Sequence, residues 1–207
     1  PVKVIAMRAE ESAWFGPCYI ASKTLTGTLT EAERKAVHRD DGQSLDAHMA
    51  DIGIDMTPVR NNEPLLNTED ILEYIELHIE QGPLLIGKDM PAAIVSGIRG
   101  NFRYKSVRCN GEAGHSGAVP RAFRKDPVLA MADLLVRLDE SWLTILQKSD
   151  DLVLTSGIVA TDPASHAMTR IPDQVKFSLD FRSQGADVLT SMDELLRDEI
   201  KQVEQDR

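Results

Sequence analysis

Apolar and polar positions fall into two textures along the chain. The opening run Pro1-Val2-Lys3-Val4-Ile5-Ala6-Met7 is apolar enough to predict a strand from the first residue. A polar turn, Arg8-Ala9-Glu10-Glu11-Ser12, follows and sets two acidic residues where that strand ends. The spacing then predicts a helix around Tyr19 to Leu25 and another over Ser44 to Ile52, with Leu45, Met49 and Ile52 on one side, after an Asp40-Asp41-Gly42 turn. Pro58 to Asn67 reads as loop. From Thr68 a short helix capped by Asn67 or Thr68 runs to Tyr74. The next string, Ile75-Glu76-Leu77-His78-Ile79-Glu80, alternates with period two and predicts a strand closed by Gly82-Pro83, with Glu76, His78 and Glu80 on one face.

Beyond Ile94 the periods become regular. They predict a strand over Tyr104 to Cys109, a Gly-rich turn over Gly111 to Gly117 and a helix from Asp126 to about Leu146. A strand from Leu152 to Val159, a strand from Val175 to Phe181 and a helix from Asp187 to Val203 complete the series. The order β-α-β-β-α is that of a ferredoxin-like split βαβ arrangement lacking its last strand. The expected class is therefore α/β, with residues 1–92 as part of a mixed-sheet domain and 93–207 as an incomplete ferredoxin-like domain. Both the opening strand without an initiator methionine and the absent last strand lead to the expectation of a piece cut from a longer protein. Such a piece should leave a sheet edge and apolar surface uncovered, and so self-associate.

Composition narrows the functional classes. The 207 residues carry a formal charge of -10, with a pI near 5.0, and the basic residues are scattered. That argues against nucleic acid, whose binders cluster Lys and Arg against phosphates. No apolar run approaches the ~20 residues of a membrane helix, and no basic-then-apolar leader is present, so a cytoplasmic protein is expected. Cys18 and Cys109 are far apart, without metal-ligand spacing, and read as buried small hydrophobes.

A few residues could carry chemistry. Glu10 and Glu11 side by side repel unless solvated or offset by a cation. If a metal is present, one carboxylate can bind it while the other moves a proton between water and a leaving nitrogen. His78 reads either as a half-exposed strand histidine or as a ligand oriented by a neighbouring carboxylate. His115, in Gly111-Glu112-Ala113-Gly114-His115-Ser116-Gly117, is either incidental to a hairpin turn or presented to an anion. Arg182 can grip a carboxylate bidentately or simply pair with Asp180. His38 and His48 lie in polar, helix-like surroundings and His166 in a loop, and none of the three is assigned a role.

Four strings combine these residues: Ala9-Glu10-Glu11-Ser12-Ala13-Trp14-Phe15-Gly16-Pro17, Glu76-Leu77-His78-Ile79-Glu80-Gln81-Gly82-Pro83, Gly111 to Pro120, and Phe177-Ser178-Leu179-Asp180-Phe181-Arg182-Ser183. In that order they resemble segments of the N-carbamoyl-L-amino-acid hydrolase / allantoate amidohydrolase family, which belongs to the dinuclear-zinc aminoacylase and carboxypeptidase superfamily. The resemblance implies a hydrolase of linear amide or ureido C–N bonds using two divalent ions (zinc, manganese or cobalt). It implies Glu10 as general acid/base, Glu11 as ligand of one ion and His78 as ligand of the other. His115 would come from a lid domain that forms a homodimer and would stabilise the oxyanion in the partner's site. Arg182 would hold the substrate carboxylate, with Gln81 lining the pocket.

The chain departs from the family pattern in places. Trp14 stands where a basic residue is usual, Thr169 stands where an N-x-I-P string has its substrate-binding asparagine, and Asn101 follows Gly100 where G-Q-R is usual; by position Thr169 and Asn101 are the substrate-binding candidates there. The family's other metal ligands, a histidine and an aspartate before the Glu-Glu pair and a histidine near the C-terminus, have no counterpart segments here. The 207-residue chain is thus expected to be inactive as an isolated fragment, with no metal or only partial occupancy at Glu11 and His78. A non-catalytic dimerising module is the alternative expectation, and a peptidase of the same superfamily is the nearer rival.

Overall fold

The computed structural model describes residues 2–207, and the chain divides into two compact units, the first ending at Gly82 and the second spanning Pro83–Arg207.

The first unit is a small helical cluster. Its helices are α1 (Ile20–Leu25), α2 (Glu31–Arg34), α3 (Leu45–Asp51) and α4 (Met56–Arg60), with a 3-10 turn at Thr68–Asp70. Each of α2, α3 and α4 begins on a side-chain cap: Thr30 in a capping box with Glu33, Ser44 accepting from Ala47 N–H, and Asp55 accepting from Thr57 N–H. Ile20, Leu29, Leu45, Met49, Met56 and Val59 form the core, with Phe15 and Ile54 packed on it. Arg34 is buried among them, its guanidinium donating to the Leu29 and Val59 carbonyls.

The first unit corrects several sequence expectations. Helix α4 occupies part of the expected 58–67 loop, because Asp55 caps a turn whose Met56 and Val59 reach the core. Ile52 lies exposed beyond the end of α3 rather than on its buried side. The helix expected to run to Tyr74 stops after a single 3-10 turn capped by Asn67. Neither expected strand forms. Residues 2–10 and 71–80 lack helix or strand, and Leu77, Ile75 and Ile79 are 100%, 88% and 75% exposed; Pro1 lies outside the described residues. Alternation marks a segment that can bury one face, but a strand exists only when a neighbour completes its backbone hydrogen bonds. Among the described residues of these segments no ladder partner is present.

The second unit keeps the β-α-β-β-α order that its periodicity predicts, with the short strands Gly114–His115 and Arg170–Ile171 added. A turn of helix, α5 (Leu84–Gly87), precedes β1 (Gly100–Asn110), β2 (Gly114–His115), α6 (Pro127–Gln147), β3 (Val153–Thr155), β4 (Val159–Thr161), β5 (Arg170–Ile171), β6 (Gln174–Ser183) and α7 (Ala186–Asp206). Strand β6 is central and antiparallel to β1 on one side and to β3 and β4 on the other. This is the antiparallel sheet of the split βαβ arrangement. The expected single strand from Leu152 to Val159 is two short ones. Between them the backbone leaves the ladder, with Ile158 N–H donating to Ser178 Oγ and Ser178 N–H to the Ile158 carbonyl.

Alternation along β6 sends Val175, Phe177, Leu179, Phe181 and Ser183 inward, all buried. The inward face meets α6 and α7 through Met131, Leu134, Leu138, Met192, Leu196 and Val203. Helix α6 starts at Asp126, whose carboxylate accepts from Val128 and Leu129 N–H ahead of Pro127. Arg137 on α6 bridges Asp133 to Glu199 and Asp206 on α7, tying the helices together. Cys109 is half-buried against this core, where burial raises its thiol pKa, whereas Cys18 is a half-buried free thiol of the first unit. Among the described residues no helix is long and apolar enough to cross a membrane.

Candidate functional site

In the first unit the Glu10-Glu11 pair sits in a turn anchored to the start of α1. Tyr19 N–H donates to the Glu10 carbonyl at 2.8 Å and Ile20 N–H to the Ala9 carbonyl at 3.1 Å. Ala9 and Tyr19 both hold positive φ, 53° and 60°, so the turn is tightly specified. Glu10 is half-buried and Glu11 exposed. The Gln81 amide donates to Glu11 Oε1 at 3.3 Å, bringing together two residues seventy positions apart. His78 turns its Nδ1 to the Ile79 carbonyl. That contact leaves Nε2 as the outward nitrogen, the arrangement in which an imidazole ligates metal.

Glu11 and His78 are donors of the right kind for zinc, but together they offer two of the roughly four donors that one ion takes. They do not complete a metal centre. The group of three potential ligands among the described residues lies elsewhere in this unit, at His38, Asp41 and His48. Sequence reasoning passed over these histidines. The signal was present in His38-x-x-Asp41 and His48 around the Asp40-Asp41-Gly42 turn: a turn followed by a helix can return the second histidine over the first.

In the second unit the Gly-rich turn is well pinned. His115 pairs with Arg170 across the two-stranded sheet of β2 and β5, and Ser116 N–H donates to the Thr169 carbonyl at 2.8 Å. Thr169 is thus a backbone neighbour of the His115 turn. Gly111 passes so close to Lys125 and Pro127 that a Cβ there would lie 2.1 Å from the Lys125 oxygen. Gly117 N–H donates to His115 Nδ1 at 3.1 Å. With Nδ1 accepting, the neutral ring carries its proton on Nε2, and the exposed imidazole presents an N–H donor. An open cleft of about 450 Å³ borders β5, lined by Thr161, His166, Met168 and Arg170 among others.

Arg182 and Asn101 are cross-strand partners, and both lie on the sheet face away from the helices. The Arg182 guanidinium binds Asp180 at 2.7 and 2.9 Å, and Arg103 binds the same carboxylate at 3.0 Å. Burial pushes the Asp180 carboxyl upward, but the Arg182 and Arg103 guanidiniums outweigh it and hold the pKa below the usual range. Two guanidiniums sharing one carboxylate leave a surplus of positive charge on this face, suited to a second, incoming carboxylate.

The description "Peptidase dimerisation domain" matches residues 96–206. The chain belongs to this peptidase dimerisation family. Over 206 residues it is 31% identical to the N-carbamoyl-L-amino-acid amidohydrolase of Pseudomonas sp. (strain NS671), covering 100% of this chain and 48% of that protein. It is 30% identical over 202 residues to the allantoate amidohydrolase of Escherichia coli (strain K12), covering 98% of this chain and 47% of that protein. A crystal structure of a hydantoinase/carbamoylase family amidase from Burkholderia ambifaria superposes with a TM-score of 0.77 at 26% identity, over 96% of this chain and 46% of that one. The dimerisation-family chain therefore spans about half the length of the relatives it matches, and both named relatives are amidohydrolases. The mixed α/β class and the amidohydrolase resemblance read from the motifs agree with these relatives.

Proposed function

We propose that the whole protein hydrolyses C–N bonds of linear amide and ureido compounds, either N-carbamoyl-L-amino acids, ureido acids or allantoate. It does so in the cytoplasm, as a homodimer joined through residues 93–207, with residues 1–92 belonging to the catalytic domain. The observation that carries this reading is similarity to named carbamoyl and allantoate hydrolases running through both units rather than through the dimerisation domain alone.

Each residue has a task that its surroundings support. Glu10, half-buried on a fixed turn, takes a proton from the attacking water and returns it to the leaving nitrogen. His115 offers its Nε2–H to the oxygen that becomes negative as the carbonyl carbon turns tetrahedral. Arg182 binds the substrate carboxylate, with Asn101 beside it on the same face. Thr169 of the second unit and Gln81 of the first are each assigned a further polar contact to substrate. Two divalent ions, zinc, manganese or cobalt, would supply Lewis-acid polarisation, with Glu11 and His78 each lending a donor to one of them. Those two donors alone do not complete a site.

The test is release of ammonia or free amino acid by the complete gene product, assayed on each compound class with zinc, manganese and cobalt. Turnover is expected on at least one class, and Arg182→Ala should raise its KM roughly 10- to 100-fold, the worth of a charge-assisted pair. No release from any of them would end the proposal. A second reading, a non-catalytic dimerising module, is favoured by the donor count at Glu11 and His78. Two bound metals per chain with turnover by the 207-residue protein would exclude it.

A further inference from the structure

The cluster of His38, Asp41 and His48 lies outside the residues assigned to the hydrolytic reaction, and its geometry is unusually restrained for a surface. Asp41 Oδ2 is 3.4 Å from His38 Nδ1 and 3.1 Å from His48 Nε2. All three potential ligand atoms lie within 4.8 Å of one another. Nitrogen and oxygen donors held about 2.0–2.1 Å from a tetrahedral ion sit roughly 3.3 Å apart, so both Asp41–histidine spacings are already close to a bound geometry.

The rings are also held from behind. Trp14 stacks on His38 at a centroid distance of 5.2 Å and an interplanar angle of 12°. Phe15 presents its edge to His38 at 5.2 Å and to His48 at 5.3 Å. The Asp41 carboxylate is fixed by the Gln43 N–H at 2.8 Å. Gly42, at φ +72°, closes the turn, its N–H donating to the His38 carbonyl at 2.9 Å while the His38 N–H donates to the Gln43 carbonyl at 2.7 Å. His38 is 17% exposed, His48 34% and Asp41 42%, so the donors open on one side to water.

We propose that His38, Asp41 and His48 form a binding site for one first-row divalent transition-metal ion, zinc being the natural occupant, with water as the remaining ligand. Two imidazoles and one carboxylate are the donor set such ions favour over magnesium or calcium, which take all-oxygen shells. The role is structural. The ion would tie the 38–43 turn to α3 and, through the stack on Trp14 and the edge contacts of Phe15, steady the strip that follows Glu10-Glu11.

The test is calorimetric titration of zinc into the metal-stripped 207-residue chain, paired with quenching of Trp14 fluorescence by cobalt, for which Trp14→Phe is the blank. One zinc per chain should bind at this site, and cobalt should quench the Trp14 emission. His48→Ala and Asp41→Asn, checked by circular dichroism for retained helix, should each weaken binding by about tenfold or more. His78→Ala, which removes a donor proposed for the hydrolytic centre, should leave this binding in place. Zinc binding that neither His48→Ala nor Asp41→Asn diminishes, or a folded chain that binds no zinc, would overturn the site. Neither result bears on the amidohydrolase reading, which does not use these residues.

Discussion

The two units answer the same kind of sequence signal in opposite ways. In the second, the alternating string Gln174–Ser183 becomes a central strand with neighbours on both edges and a helical layer beneath, and Phe177, Leu179 and Phe181 vanish from solvent. In the first, the equally regular Ile75-Glu76-Leu77-His78-Ile79-Glu80 forms no strand, and its apolar side chains lie in water. Period-two alternation therefore specifies which side chains would share a face, while the strand itself depends on hydrogen-bond partners elsewhere in the chain or in another chain.

That comparison can be broken most forcefully in the core. Phe181, fully buried between β1 and the helices and stacked on Phe102 at 4.5 Å, should cost about 3–5 kcal/mol when replaced by Ala, read as a lower urea midpoint for the second unit. Removing the α6 cap with Asp126→Ala should cost about 1 kcal/mol in the same measurement. A still smaller effect is expected in the first unit, where the Lys23 ammonium, with help from the Thr30 N–H, pulls the Glu33 carboxyl down to about 2. A depressed folded-state pKa adds stability above the ordinary carboxylate value, and this is lost as pH falls from about 4.5 toward about 2. Glu33→Gln should flatten the helical signal of this unit over that window. Least of all, Leu77→Ala should change stability by no more than about 0.5 kcal/mol, since the side chain is already in water. A large loss there would mean that the 71–80 segment is packed in solution.

Much of the second unit was legible because local and global signals agree. Asp126-Pro127 announces the start of α6, the 3–4 spacing of Met131, Leu134 and Leu138 gives its buried face, and the alternation of Val175 to Phe181 gives the strand it packs on. The break between β3 and β4 was not legible, because it rests on the reciprocal Ser178–Ile158 contacts across the sheet. In the candidate site, the cross-strand pairing of Asn101 with Arg182 follows from the register of β1 on β6, which no local pattern fixes. The capture of Glu11 by Gln81 likewise joins residues seventy positions apart. His38 and His48 escaped notice because each looks ordinary in its own surroundings, and the turn at Gly42 and the winding of α3 make them neighbours.

The functional account rests most heavily on Glu10, the half-buried carboxylate on the turn before α1. The decisive measurement is steady-state hydrolysis of the preferred carbamoyl or ureido substrate by the complete protein and its Glu10→Gln variant, which keeps the shape and removes the proton acceptor. The account predicts a fall in kcat of roughly 10²- to 10⁴-fold with KM little changed. A variant whose kcat stays within about twofold of the parent would contradict it, because a general acid/base cannot be removed at so small a cost.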